Sequence, residues 1–341
     1  MTLWLVLAVR ILLVGTERVL LRVLGEGRPP AETAAAFFAT GALVLLPFAA
    51  PWASRDWAIL RVALPSAAVY AVAYWLYVSA LSRGEVSAVA PLGALAGVFV
   101  VPLAFFVHGE GLGVAKWLGV GVITLSASLL GSSARGSSLR IANPAGVDGA
   151  PATRVLTRAM VRVGLRCGRD VVAAPGLHRL RGWRPASPGT RARGMAFGRG
   201  AAWQMVGYAL LTATTRMLDK TAAQGVPGAA ALYAWVVFSG VALCQCGLLA
   251  VTGGLGGLHG LARSRPWAML GAGVCNGGSF LLLIVALARV PVSVAEPVTA
   301  LSLLVSAGLA WLVFREPVRS RWWPTLGVIA GTWLLVAGRA G

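Results

Sequence analysis

Residues 80–131 lie on residues 286–337 at a constant offset of 206, without a gap, and 17 of the 52 positions are identical. A fold that accepts this chain must hold one structural unit twice. The best-preserved stretch keeps Arg83 with Arg289, Ser87 with Ser293, Pro91 with Pro297 and Glu110 with Glu316.

The duplicated unit is built for lipid. With 57% hydrophobic and 12% charged residues over 341 positions, the chain carries more apolar surface than one water-soluble core can hide. A hydrocarbon core of about 30 Å needs roughly 20 apolar residues of helix. Spans are predicted at 2–24, 33–50, 58–80, 86–107, 113–131, 199–219, 229–251, 267–288, 292–314 and 322–338. The runs are continuous rather than alternating, so helices pair the backbone here and barrel strands do not. The N-terminal run has no basic residue before it and is interrupted by Arg10, so it reads as the first span rather than a secretory leader.

Between equivalent points of the two copies the chain crosses the bilayer five times. Five is odd, so the second copy is upside down relative to the first, about a pseudo-two-fold axis in the membrane plane. That is the architecture of inverted-repeat secondary transporters. The predicted fold is an all-α membrane protein of ten transmembrane helices, arranged as two inverted five-helix repeats over 1–131 and 199–338 with an insert at 132–198.

Each unit ends in a proline-containing helix, a short turn bearing Glu110 or Glu316, and a last helix with Gly-Val-Ile at 121–123 and again at 327–329. These features resemble the EamA domains of the drug/metabolite transporter superfamily, over residues 1–131 and 199–338. The resemblance implies two five-helix bundles around a central cavity and secondary transport of a small metabolite or drug-like solute, with export as the expected direction. It leaves the cargo open, since related members carry amino acids, nucleotide-linked compounds, sugars and drugs. It also implies a multi-pass protein of the plasma membrane, and the excess of arginine over lysine points to a bacterial source.

Residues kept in both copies serve folding first, whereas polar groups found in one copy are candidates for cargo recognition. Glu296 stands directly before Pro297, and its counterpart is Ala90. A charge at the centre of a membrane helix costs about 2.5–3.5 kcal/mol on insertion, so something must offset it. Two roles are open: a desolvated carboxylate that carries a proton, or a fixed bridge if a cation such as Arg10 lies beside it. Arg10, midway along the first span, is a candidate contact for anionic cargo, and the offset carries it onto Arg216. Helical spacing adds Gln204, Tyr208, Thr212 and Thr215 on one face, and Tyr70, Tyr74 and Tyr77 on another, with Asn276 as the counterpart of Tyr70. Such stripes line cargo cavities and also pack helices.

Gly93 and Gly97, Gly273 and Gly277, and Gly327 and Gly331 form small-residue pairs that let helices approach closely, the last a candidate homodimer face. Tryptophans including Trp4, Trp52, Trp57, Trp117, Trp267, Trp322 and Trp323 lie near span ends, as an interfacial belt requires. The insert holds 12 arginines against Asp148 and Asp170. Arg154, Arg158, Arg162 and Arg166 recur at intervals of four beside an apolar flank, as in a segment lying on anionic lipid headgroups. No nucleic-acid reader motif accompanies that charge. The same charge predicts a cytoplasmic insert.

The glycine run at 253–260 lacks the Lys and Ser/Thr of a phosphate loop, and no cofactor or metal is called for. Cys244, Cys246 and Cys275 read as small apolar residues. A lipid flippase and an integral-membrane enzyme remain the alternatives; no HExxH, nucleophile elbow or carboxylate cluster supports the second.

Overall fold

The structure, a computed structural model, describes residues 3–52, 57–83, 92–93, 95–111, 113–138, 199–225, 229–314 and 322–337. The described residues form helices and turns, with no strand among them. The first half holds α1 (Leu3–Gly25), α2 (Pro30–Ala49), α3 (Leu60–Arg83), α4 (Leu95–His108) and α5 (Val114–Ser138). The second holds α6 (Arg199–Gly225), α7 (Ala230–Thr252), α8 (Leu255–Ser264) and α9 (Pro266–Leu287). It ends with α10 (Val292–Thr299), α11 (Ser302–Phe314) and α12 (Trp322–Ala337).

By length and composition α2, α3, α7 and α9 can each cross a bilayer, while α4 and α11 are apolar but shorter. At 23 and 27 residues, α1 and α6 are as long, but they are interrupted by Arg10, Glu17, Arg18 and Arg22 in one and Arg216, Asp219 and Lys220 in the other. These two helices carry most of the buried charge, so their polar faces must point inward. The outer surface is apolar, with Leu43, Phe106, Leu243, Val251 and Trp311 exposed on it. Trp4, Trp117, Trp267 and Trp323 are exposed near helix starts, as the expected belt demands.

The predicted span at 292–314 is two helices, not one. Pro297 supplies no backbone donor, and α10 ends two residues later. Short turns bridge the gap, with Leu301 N–H donating to Val298 O at 3.2 Å and Leu303 N–H to Ala300 O at 2.9 Å. The sixth span runs on to Gly225, six residues past its predicted end, and the glycine run at 253–260 enters the short helix α8. Ser87, Pro91, Cys167, His178, Glu316 and the arginine series 154–166 lie outside the described residues.

Under the offset of 206, α1 corresponds to α6, α2 to α7, α3 to α9, α4 to α11 and α5 to α12. The largest interfaces join one half to the other. α2 packs on α7 and α5 on α12, each helix against its own counterpart. α1 packs on α9 as α3 packs on α6, α1 on α11 as α4 on α6, and α2 on α9 as α3 on α7. Exchanging the halves therefore returns the same set of interfaces.

Glycines set the closest of these approaches. A Cβ at Gly273 in α9 would stand 2.6 Å from Thr40 Cβ and 2.8 Å from the Thr40 carbonyl carbon in α2, and one at Gly277 would stand 3.1 Å from Gly41 O. The Gly327 and Gly331 face of α12 is filled within the chain by Ser126, Ile123 and Gly119 of α5. These small residues serve close packing within the chain.

Overpacking typically costs about 1–3 kcal/mol, and at Gly273 the obstacle includes backbone. Gly273→Val should fall at the upper end of that range and lower the melting temperature in detergent, whereas Gly247→Ala, where nothing lies within 4 Å, should leave it unchanged.

Candidate functional site

Three helices deliver charge to one point. Arg10 comes from the middle of α1, Arg216 from the equivalent position of α6, and Glu296 from α10 just before its proline. Arg10 Nη2 lies 3.6 Å from Glu296 Oε1, and Arg216 Nε is ion-paired to the same oxygen. Glu296 is thus held between two guanidinium groups.

Arg216 has a second partner one turn along its own helix. Its Nη1 donates to Asp219 Oδ2 at 2.8 Å, and the same oxygen accepts from the Tyr70 hydroxyl at 2.8 Å. Asp219 Oδ1 accepts from the Tyr233 hydroxyl, also at 2.8 Å. Arg216 Nη1 contacts the Tyr70 hydroxyl as well, and its guanidinium lies 5.7 Å from the Tyr70 ring centroid. Asp219 is fully buried, which is sustainable because three donors converge on it. The two arginines and two carboxylates together carry no net charge, the condition for burying them in a low-dielectric core.

The remaining sequence candidates extend this centre on one side. Tyr74 has ring neighbours Phe38 at 4.7 Å, Tyr70 at 5.9 Å, Tyr77 at 5.8 Å and Tyr208 at 6.0 Å, and Tyr77 stacks on Tyr208 at 4.6 Å. The tyrosine stripe of α3 thus faces the polar stripe of α6. Gln204 Nε2 donates to Ser79 Oγ at 3.2 Å. The Thr215 hydroxyl donates to the backbone carbonyl of Thr212 within α6, while the buried Thr212 hydroxyl has no hydrogen-bond partner among the described residues. Asn276 is buried on α9, and its amide nitrogen has no hydrogen-bond partner among the described residues.

Sequence reasoning missed Asp219, Tyr233 and Glu17. Asp219 was the predicted last residue of its span, where a charge needs no partner, so its spacing of three from Arg216 carried no weight. Glu17 follows Arg10 by seven residues, two turns along the same face of α1. It is buried and accepts from Ser279 Oγ at 3.4 Å.

A second polar group closes one end of the bundle. Glu110, in the turn between α4 and α5, accepts from Val292 N–H at 2.8 Å and Ser293 N–H at 3.0 Å. A carboxylate there satisfies free amides at the start of α10. Lys116 Nζ donates to Gly111 O at 2.6 Å and Ser293 Oγ at 3.3 Å. Lys220 Nζ donates to Leu287 O at 2.6 Å and Val290 O at 2.9 Å, just after α9. His108, Glu110, Lys220, Gln224, Arg289 and Pro291 line a cleft of about 360 Å³ here.

An all-helical bundle with an apolar exterior and a charge-balanced polar centre is a multi-pass membrane protein. Residues 2–132 match the model of the EamA-like transporter family, a stretch of less than half of the chain. A solved crystal structure superposes with a TM-score of 0.57 over 98% of this chain and 97% of its own, at 14% identity, a likeness of fold alone. No curated protein matches the chain.

Removing one partner of a buried ion pair costs about 3–5 kcal/mol, whereas losing one neutral hydrogen bond costs about 1 kcal/mol. Thermal unfolding in detergent should therefore rank Asp219→Ala well below Tyr233→Phe, with Tyr233→Phe within a few degrees of the parent protein.

Proposed function

We propose that the chain is a secondary transporter that exports a small metabolite or drug-like solute by alternating access. Two five-helix repeats, 1–131 and 199–338, are mounted in opposite senses and supply ten crossings of a bacterial plasma membrane. The observation that carries this reading is the exchange symmetry of the helix interfaces, which extends the EamA likeness of the first half to the second. Five crossings between equivalent points make the repeats inverted, and an inverted pair has two near-equivalent arrangements, one open to each face.

The Glu110 contacts support the reading from the other end. They tie a turn of the first half to the start of α10 in the second, so they act as a latch across the join. The offset carries Glu110 onto Glu316 and Ser293 onto Ser87, residues outside the described set. Arg10, Glu296, Tyr70, Tyr74, Gln204, Tyr208 and Asn276 are the proposed cargo-facing or coupling residues, with Glu296 as a static hub. A gradient of protons or of the cargo itself supplies the driving force. Of the carboxylates near the centre, Glu17 lies outside the Arg10–Glu296–Arg216–Asp219 chain and accepts from the Ser279 hydroxyl, so it is the one assigned to exchange a proton in this cycle.

Reconstituted into liposomes, the protein should give saturable, gradient-dependent flux; non-saturable flux that ignores every gradient overturns the reading. In a background without native cysteines, a thiol cross-linker joining Glu110→Cys to Ser293→Cys should stop transport, with activity restored on reduction. Glu17→Gln should abolish accumulation driven by a pH gradient while leaving exchange of labelled for unlabelled cargo.

A further inference from the structure

The two central arginines are related by the offset of 206, yet they are not equally served. Arg216 meets Glu296, Asp219 and the Tyr70 hydroxyl. Arg10 shares one oxygen of Glu296 at 3.6 Å, and its Nε and Nη1 are buried with no hydrogen-bond partner among the described residues.

The sequence accounts for this difference position by position. Arg216 is followed three residues later by Asp219, and Arg10 at the same interval by Leu13. Tyr70, which donates to Asp219, has Asn276 as its counterpart, and the Asn276 amide nitrogen is likewise buried without an acceptor. Position 13 faces α9, since Leu13 Cδ1 lies 3.3 Å from where a Cβ on Gly278 would stand. The interfaces that carry the two sets, α3 on α6 and α9 on α1, exchange under the same offset. One half holds an arginine, a hydroxyl donor and a carboxylate. The other holds an arginine and an amide donor, with leucine at the position that matches Asp219; the carboxylate of this interface, Glu17, lies two turns further along α1 and accepts from Ser279.

Buried donors left unsatisfied are costly, and guanidinium N–H groups suit a carboxylate above other acceptors. We propose that Arg10 and Asn276 form a recognition site for a carboxylate group of the cargo, which takes the place that Asp219 holds in the other half. The site rests on the transporter reading and narrows its cargo to organic acids.

The test is equilibrium binding to the purified full chain in detergent, read by thermal shift and calorimetry. The probes are acetate, benzoate and phenylacetate, with benzamide and benzylamine as an uncharged and a cationic comparison. At least one carboxylate should stabilise the protein saturably while benzamide and benzylamine do not. Arg10→Gln should weaken that binding at least tenfold and Asn276→Ala severalfold. Leu13→Asp supplies the missing carboxylate from within; it should fold with a melting temperature close to the parent and no longer bind the acid. Should Arg10→Gln fail to fold, Leu13→Asp and Asn276→Ala still decide the matter. Carboxylates that behave like benzamide, or a Leu13→Asp protein that binds them as the parent does, overturn the proposal. Because binding is read without transport, carboxylate binding with no flux would count only against the transporter reading. Flux of a cationic solute with no carboxylate binding would count only against this site.

Discussion

Glu296 between Arg10 and Arg216 is the interaction on which the remaining architecture depends. It joins α1, α6 and α10, helices that come from different ends of the sequence. A carboxylate or guanidinium alone at that depth is prohibitive, so none of the three helices is stable in its place without the others. Asp219 then balances the second arginine, and Tyr70 and Tyr233 fill the remaining valences of Asp219. The consequence is specificity of arrangement more than strength, because lipid gives packed apolar faces little to distinguish one helix neighbour from another. A neutral set of four charges has few ways to be satisfied, and it selects the register of the helices that carry it.

The second constraint is distance. Helices approach closely where glycine removes the side chain, at Gly273 and Gly277 against α2 and at Gly327 and Gly331 against α5. These contacts join one half to the other, as do the largest interfaces generally. In the proposed cycle, motion must therefore be a sliding or rocking of interleaved helices rather than the opening of two self-contained blocks. The break between α10 and α11 suits such motion. It follows Pro297, beside the carboxylate that both arginines hold, so a change at the charge centre reaches the place where the helix is already interrupted.

Much of this was legible in the sequence because duplication leaves a measurable trace. The offset pairs helices whose largest interfaces exchange with one another, and the apolar runs located α2, α3, α7 and α9. Glu296 was found from its asymmetry with Ala90, and Arg10 from its position in an apolar run. Two kinds of information were hidden. Helix ends are set by hydrogen bonds and not by hydropathy, so α6 was cut short at Asp219 and the network that Asp219 anchors was lost with it. Contacts between distant segments, such as Glu110 with the amides of Val292 and Ser293, have no local signature. The matching of Glu110 to Glu316 and Ser293 to Ser87 was visible, but not that a residue of one pair reaches across to the other half.

Internal duplication also supplies a comparison that a single-copy protein lacks. Where both copies retain a residue, as with Arg10 and Arg216, the shared feature reports what the scaffold needs; where they differ, each copy shows what the other has given up. Asp219 facing Tyr70, set against Leu13 beside Asn276, is such a difference at the centre of the bundle. A scaffold selected for stability alone gains by completing both networks, since guanidinium N–H groups left unpaired in a buried position are a standing penalty. Retaining the penalty on one side only is consistent with a site whose partner arrives and leaves. In the proposed site, Asp219 Oδ2 of the satisfied half corresponds by the offset to the place an incoming acceptor takes.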